Sequence, residues 1–295
     1  MTDKQEAHSE DFPLPGWQVL EVAGPDAAAF LQAQTMNDVR SLMPGHWQWN
    51  GWLNPKGRLI ALFALAALDT QRYWLIAPDF PAAELATRLQ RFVFRSKVKL
   101  HAREDGRACG AFATPPHASG SAFHPATQGD AESIELDLGA EGGTRTLRIA
   151  ASDATRDASA PAPGDADDDA RRWIAFDLAH GLPRLPMEQS EQWTPQMLSL
   201  DRLNAYSLKK GCYPGQEIVA RTHYLGHAKR VLARIAGNGL ATGAEIRAGD
   251  RTLGSIVSSI GDEALAVLAA DRSADSWECA GSPCRELPLR DGLAR

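Results

Sequence analysis

Residues 207–222 read SLKKGCYPGQEIVART. Two lysines, a cysteine, two glycines, a proline, a glutamine and a glutamate crowd into this run, with apolar segments on both sides. Gly211 and Gly215 allow backbone angles that other residues avoid, and Pro214 lacks an amide donor. The stretch therefore reads as a shaped loop. Loops with this much specific chemistry carry function more often than they merely connect. A thiol at Cys212 beside Lys209 and Lys210 has its thiolate favoured by the positive field. Gln216 supplies a donor and an acceptor and Glu217 two acceptors, a set able to grip a flat heterocycle with amide-like edges. The residues alone leave a second reading open: a tight helix-to-strand connector whose cysteine is a small packing residue.

The 295 residues around this loop suffice for two domains or one large one. A hydrophobic share of 44% and a charged share of 23% are those of a globular protein. The net charge of -6 argues against a general nucleic-acid binder, which needs a basic footprint. The longest apolar run, LIALFALAAL at 59–68, is too short to span a bilayer. The polar N-terminal segment has no signal-peptide apolar region, so a cytoplasmic location is expected. The four cysteines (Cys109, Cys212, Cys279, Cys284) fit no zinc or redox spacing, and no metal site is expected.

Along the chain, residues 1–12 read as a disordered tail. Strands are expected at 17–22, 47–53, 58–68, 73–77 and 97–101, with helices opening at Pro25 and Pro81 and a turn at Asn54-Pro55-Lys56-Gly57. Helices and strands mix without strict βαβ repetition, which favours an α+β class. A hairpin is expected over 133–150. Residues 151–172 hold six aspartates and little apolar surface, and read as a solvated excursion. Order is expected to return at Trp173, with a further helix starting at Thr194-Pro195. Beyond a boundary near Gly226, short β-like runs punctuated by glycine indicate a small antiparallel barrel over 227–295.

Other constellations are weaker. A cysteine-nucleophile hydrolase needs a histidine base within reach, but a strand is expected to separate Cys212 from His223 and His227. Those two histidines have a helical metal-ligand spacing, but the segment YLGH around them reads as a turn. Eight tryptophans are many for this length. Core packing is the default for each, and Trp17 and Trp173 differ in opening regular elements after polar segments, where a ring can stack on a planar ligand.

Taken together, Lys210-Gly211-Cys212-Tyr213-Pro214-Gly215-Gln216-Glu217 and Val219-Ala220-Arg221 resemble the K-G-C-Y-x-G-Q-E signature of the YgfZ family of folate-binding proteins, relatives of the glycine-cleavage T-protein. Supporting segments occur in family order: FLQAQTMNDV (30–39), LNPKGRL (53–59), FRSKV (94–98), HGLPRL (180–185) and TPQMLSLD (194–201). The resemblance covers about residues 15–230 and implies T-protein-like folate-binding modules around a central hole over 13–226, followed by the β-barrel. It implies tetrahydrofolate as cofactor, contacted by Trp17 and Trp173, and Cys212 as the functional thiol. Lys210, Gly211, Tyr213, Gly215, Gln216, Glu217 and Arg221 form the motif loop.

The carboxylates by which T-proteins position their aminomethyl group would fall on Ile60 and Ala61, which cannot serve, and a T-protein glutamate is replaced by Ala179 with Asp177 nearby. The function implied is an accessory role in assembly or repair of iron–sulfur enzymes, touching tRNA modification indirectly, with those enzymes or their assembly factors as partners and no direct nucleic-acid contact. A one-carbon transferase of another substrate and a folate-free interaction scaffold remain the alternatives.

Overall fold

The computed structural model describes residues 11–128, 131–151, 168–226, 228–272 and 276–295. Most of the expected tail (1–10), most of the acidic excursion (152–167) and His227 lie outside the described residues.

The apolar run at 59–68 becomes the strand Leu59–Ala67, buried at every position because both of its faces are covered. Leu59, Leu62, Ala64 and Ala66 enter one core; Ile60, Ala61, Phe63, Leu65 and Ala67 enter another. The strand sits inside a seven-stranded antiparallel sheet ordered Lys99–Arg103, Trp17–Ala23, Arg72–Pro78, Leu59–Ala67, His46–Leu53, Ala122–Phe123, Ala118–Ser119. Helices α1 (Ala27–Gln34) and α2 (Ala82–Gln90) cover the second core with Phe30, Leu31, Leu85 and Leu89. The expected strands and the two helix starts are present, except that the strand expected at 97–101 lies at Lys99–Arg103, because the Lys97 amide is taken by Asp26 Oδ2.

A five-stranded antiparallel sheet runs Phe12–Pro13, Gly106–Ala111, Thr146–Ala151, Ala131–Asp137, Ala126–Gln128, and contains the expected hairpin. Phe12, assigned above to the tail, is instead paired with Gly110 and packed against Trp173, since its ring has an apolar seat there. Helix α3 (Asp168–Ala179) also starts earlier than expected. Asp168 and Asp169, read as excursion, occupy its first turn, where the helix dipole favours carboxylates.

Strands Arg230–Gly237, Glu263–Ala269, Arg251–Ile260, Glu245–Ala248, Trp277–Cys279 and Ser282–Leu287 close into an antiparallel barrel, as expected. The chain then turns back. Leu293 is buried in the first core and its carbonyl accepts from Trp49 Nε1 at 2.9 Å, while Arg295 donates to the carbonyls of Asp137 and Gly139.

Two local readings need correction. No α-helix follows Thr194-Pro195; the chain makes turns and a short 3-10 segment, Leu200–Leu203, because the flanking Ser199 and Asn204 are left-handed (φ 48° and 54°) and cannot continue a helix. After the motif loop comes helix α4 (Gln216–Leu225), not a strand: Gly215 at φ 78° reverses the chain, and its carbonyl accepts from the amides of Ile218 and Val219. Among the described residues no helix is long and apolar enough to cross a membrane.

Candidate functional site

The motif loop is held by three of the signature segments, 30–39, 53–59 and 194–201. Gln32 of α1 donates Nε2 to Lys210 O at 2.8 Å and accepts from Val39 N at 2.7 Å. The Lys210 ammonium is buried and donates to Thr35 O, and lies 5.0 Å from the Tyr213 ring centre. Burial pushes its pKa down to about 8 against the pull of Asp38. Asn37 donates Nδ2 to Trp49 O and Asn204 O at 2.9 and 2.6 Å, and Ser207 N donates to Met36 O at 2.9 Å. From the other side, Gln196 Nε2 donates to Val219 O at 2.9 Å, fixing α4.

Gly215 packs against the Asn54–Gly57 turn so closely that a Cβ there would lie 2.6 Å from Asn54 O and 2.7 Å from Gly57 Cα. Gly57, at φ 69°, has no room either: its Cβ would meet Ile218 Cβ at 2.8 Å. Both glycines are therefore required by contact as well as by backbone angle.

At the crest of this clasp Gly211 and Cys212 are exposed. Tyr213 is buried beneath them, its hydroxyl without a hydrogen-bond partner and its pKa pushed up to about 12 by burial. Lys210, expected to lend the thiol its charge, serves the Thr35 carbonyl instead, because a buried ammonium needs an acceptor. Lys209 stays exposed. Glu217 and Arg221 are exposed on α4, Gln216 is half-buried, and His223 lies on the same helix.

Two clefts flank the loop. One, of about 480 Å³, includes Pro214, Trp52, Asn54, Ile60, Arg91 and Phe92 in its wall. The other, of about 650 Å³, is lined in part by Asp38, Asp201, Lys209 and His223. Among the described residues no group of three or more His, Cys, Asp or Glu side chains gathers to hold a metal ion.

Trp17 and Trp173 border neither cleft. They are 5% and 0% exposed, and Trp173 lies inside α3, enclosed by Phe12 and Phe112 with the Arg145 guanidinium 4.3 Å from its ring centre. A ring so enclosed offers no open face for stacking. What the two indoles share is a buried charged network missed by the sequence reading, which named Asp177 only in passing. Arg145 Nη1 donates to Asp177 Oδ1 at 2.8 Å; Arg184 lies 3.9 Å from Asp177 Oδ2, and donates from Nε and Nη2 to Asp79 at 2.5 and 2.7 Å. The Arg184 guanidinium stands 5.9 Å from the Trp17 ring centre. Burial pushes the Asp177 carboxyl up, opposed by Arg145 and Arg184. Four atoms of this region are buried without a hydrogen-bond partner: Trp17 Nε1, Trp173 Nε1, Arg145 Nη2 and Asp177 Oδ2. Ile60 and Ala61 are buried in the strand Leu59–Ala67.

The two modules and the closed barrel define a T-protein-like fold. An aminomethyltransferase T of the glycine cleavage system from Bartonella henselae superposes with a TM-score of 0.70 at 14% identity, covering 95% of this chain and 85% of that one. No family model matches the chain. Its curated relatives include proteins named tRNA-modifying protein YgfZ, as the motif loop had indicated. The one from Klebsiella pneumoniae is 29% identical over 234 residues, 76% of this chain and 70% of the relative. The one from Yersinia pestis is 28% identical over 235 residues, with the same coverage. An uncharacterized protein of Haemophilus influenzae is 27% identical over 231 residues, 76% of this chain and 72% of that protein.

Proposed function

We propose that this chain is a folate-binding accessory protein for assembly or repair of iron–sulfur enzymes, acting in the cytoplasm and reaching tRNA modification through those enzymes. The observation that carries this reading is the convergence of the signature segments 30–39, 53–59 and 194–201 on one clasp whose exposed product is the Cys212 thiol. The relatives' printed name and the T-protein-like fold support it. A single thiolate cannot complete a four-thiolate cluster, so any cluster at Cys212 is shared with a client or held in passing.

The buried network carries polar groups of the kind a folate would pair with, in a seat that is closed in this structure and would have to open to admit one. Two indole N–H donors, a guanidinium donor and a carboxylate oxygen, none with a hydrogen-bond partner, are groups that the edge of an amide-like heterocycle can pair with. Trp17, Trp173, Arg145 and Asp177 would hold it through these edges rather than by stacking. Bound there, a tetrahydrofolate would supply one-carbon chemistry. The chain's own contribution is a dry, charged seat in which Arg145 and Arg184 hold Asp177 in place. Ile60 and Ala61 leave the T-protein's carboxylate positions without a proton carrier, which favours the accessory role over aminomethyl transfer. A second reading, a folate-free scaffold acting through the Cys212 loop, is favoured by the enclosure of Trp173.

Titration with tetrahydrofolate, followed by tryptophan fluorescence and beside Asp177→Asn, separates these readings. Saturable quenching that weakens in the variant is expected; no binding in either protein leaves the scaffold. Cys212→Ala is expected to lose support of an iron–sulfur tRNA-modifying enzyme, in a strain lacking its own YgfZ-type protein, while keeping folate affinity. Full support by that variant ends the thiol role.

A further inference from the structure

Between residues 88 and 103 (RLQRFVFRSKVKLHAR) the chain carries six cations and no carboxylate, against a net charge of -6 for the whole. The structure divides those cations. Arg88 is neutralised by Glu84 at 2.6 Å and Glu191 at 3.5 Å, and Arg103 by Asp105 at 2.9 Å and Glu21 at 3.5 Å. Arg91, Arg95, Lys97 and Lys99 are exposed and pair with no carboxylate among the described residues.

Two phenylalanines are interleaved with them. Phe94 is 86% exposed and Phe92 47%, on a loop whose backbone is fixed: Lys97 N donates to Asp26 Oδ2 at 2.7 Å, and Gly24 packs on Lys97 so tightly that a Cβ would fall 2.1 Å from its carbonyl oxygen. The Arg95 guanidinium lies 5.4 Å from the Phe94 ring centre. A rigid loop that leaves a phenylalanine in water beside unpaired cations is built for contact with something anionic and flat-faced.

The strip leads into the cleft of about 480 Å³ beside the Cys212 loop, since Arg91 and Phe92 form part of its wall. Its floor is aromatic: Trp52, 3% exposed, meets Phe92 edge to face at 5.9 Å. Trp52 Nε1 is buried and without an acceptor.

We propose that this strip and cleft bind a single-stranded polynucleotide. Bases stack on Phe94 and Phe92. Arg91, Arg95, Lys97 and Lys99 follow the phosphates. The cleft takes an unstacked base against Phe92 and the Trp52 ring. A stacking platform interleaved with a track of four free cations suits a strand with a charge and a π-face at every unit, whereas an acidic peptide repeats the charge without the flat face. The site goes beyond the accessory reading, in which tRNA is reached only through client enzymes, and it needs no folate.

The test is fluorescence anisotropy of the intact protein with labelled 12-nucleotide single-stranded RNA and DNA. Duplex RNA, poly-glutamate and vesicles with phosphatidylserine serve as competitors. Saturable binding of the single strand is expected, and a preference between RNA and DNA identifies the natural source. Phe94→Ala should weaken it about tenfold, as removal of one stacking platform does. Four phosphate contacts predict a log–log salt slope of about -2.8 for a single strand, and Arg95→Gln with Lys97→Gln should reduce that slope by about 1.4. These side chains are exposed, so melting temperatures should not move. Tetrahydrofolate titration of the same variants should be unchanged, which separates failure here from failure of the folate reading. No saturable strand binding at low salt, an unaltered affinity in Phe94→Ala, or competition by vesicles or poly-glutamate as effective as that by unlabelled strand would each overturn the proposal.

Discussion

Gly215→Ala isolates what the motif's second glycine does. The alanine inherits φ 78°, a left-handed conformation that costs an L-residue about 1–2 kcal/mol. Its methyl carbon also lands 2.6 Å from Asn54 O, 2.7 Å from Gly57 Cα and 2.9 Å from Gly57 N. All three are backbone atoms, so no side chain can rotate away and the turn or α4 must shift. Overpacking of that kind costs about 1–3 kcal/mol. The expected loss is about 2–5 kcal/mol in total. Gly211 is the built-in control: its φ is 94°, but nothing lies within 4 Å of an added Cβ, so Gly211→Ala should cost only about 1–2 kcal/mol. Urea unfolding followed by tryptophan fluorescence reads the difference. With a slope of about 3 kcal/mol/M, the two midpoints should separate by about 0.3–1 M. Because Gly57 and Gly215 touch, Gly57→Ala combined with Gly215→Ala should cost less than the two single losses together. Equal midpoints for Gly211→Ala and Gly215→Ala would refute the clasp as the reason for this glycine and leave only its backbone angle.

The remaining expectations concern the loop's anchors and its thiol. Lys210 titrates near 8 in the fold and near 10.5 when unfolded, so the unfolded chain binds the extra proton between those values and stability rises with pH across that window. Unfolding midpoints of the wild type and Lys210→Met, compared from pH 7.5 to 10.5, should move in the wild type's favour; a constant difference would show that the ammonium is not desolvated. Asp177→Ala strands Arg145 in the core without its carboxylate and should cost about 3–5 kcal/mol in the same denaturation assay, and a loss below about 1 kcal/mol would mean water reaches the pair. Iodoacetamide followed by peptide mass spectrometry should label Cys212 first, since Cys109, Cys279 and Cys284 are withdrawn and burial pushes their thiols up. Labelling of buried Cys279 at a comparable rate would contradict the described packing.

Much of the architecture could be read directly because its signals are local. A nine-residue apolar strand, an Asn-Pro-Lys-Gly turn and glycine-punctuated β-runs mean the same thing in most contexts. What escaped depends on contacts between distant segments. Helix α4 was hidden because the Gly and Pro ahead of it spoke for irregular chain, and Ile218, Val219 and Thr222 for strand, while the decision lies in the meeting of Gly215 with Gly57, 158 positions away by numbering. The apparent helix after Pro195 failed through two left-handed residues held by tertiary packing. Trp173 was taken for the opening of an element because the aspartates before it resembled linker; as the first turn of α3 they carry it into the interior, against Arg145. Whole-chain charge concealed a stretch of opposite sign, at 88–103, since a net value averages over position.

The return of residues 288–295 to the first sheet also bears on how the molecule is made. Trp49 and Leu293 are hydrogen-bonded across 244 positions, so the sheet completed early in synthesis waits for its last seal until the barrel has been translated. Such long-range closure slows folding and ties the fates of distant regions. The barrel and the two sheets should consequently melt as one cooperative unit, and a nascent chain halted before residue 290 should remain open at the face beneath Trp49, a state in which a chaperone has something apolar to hold.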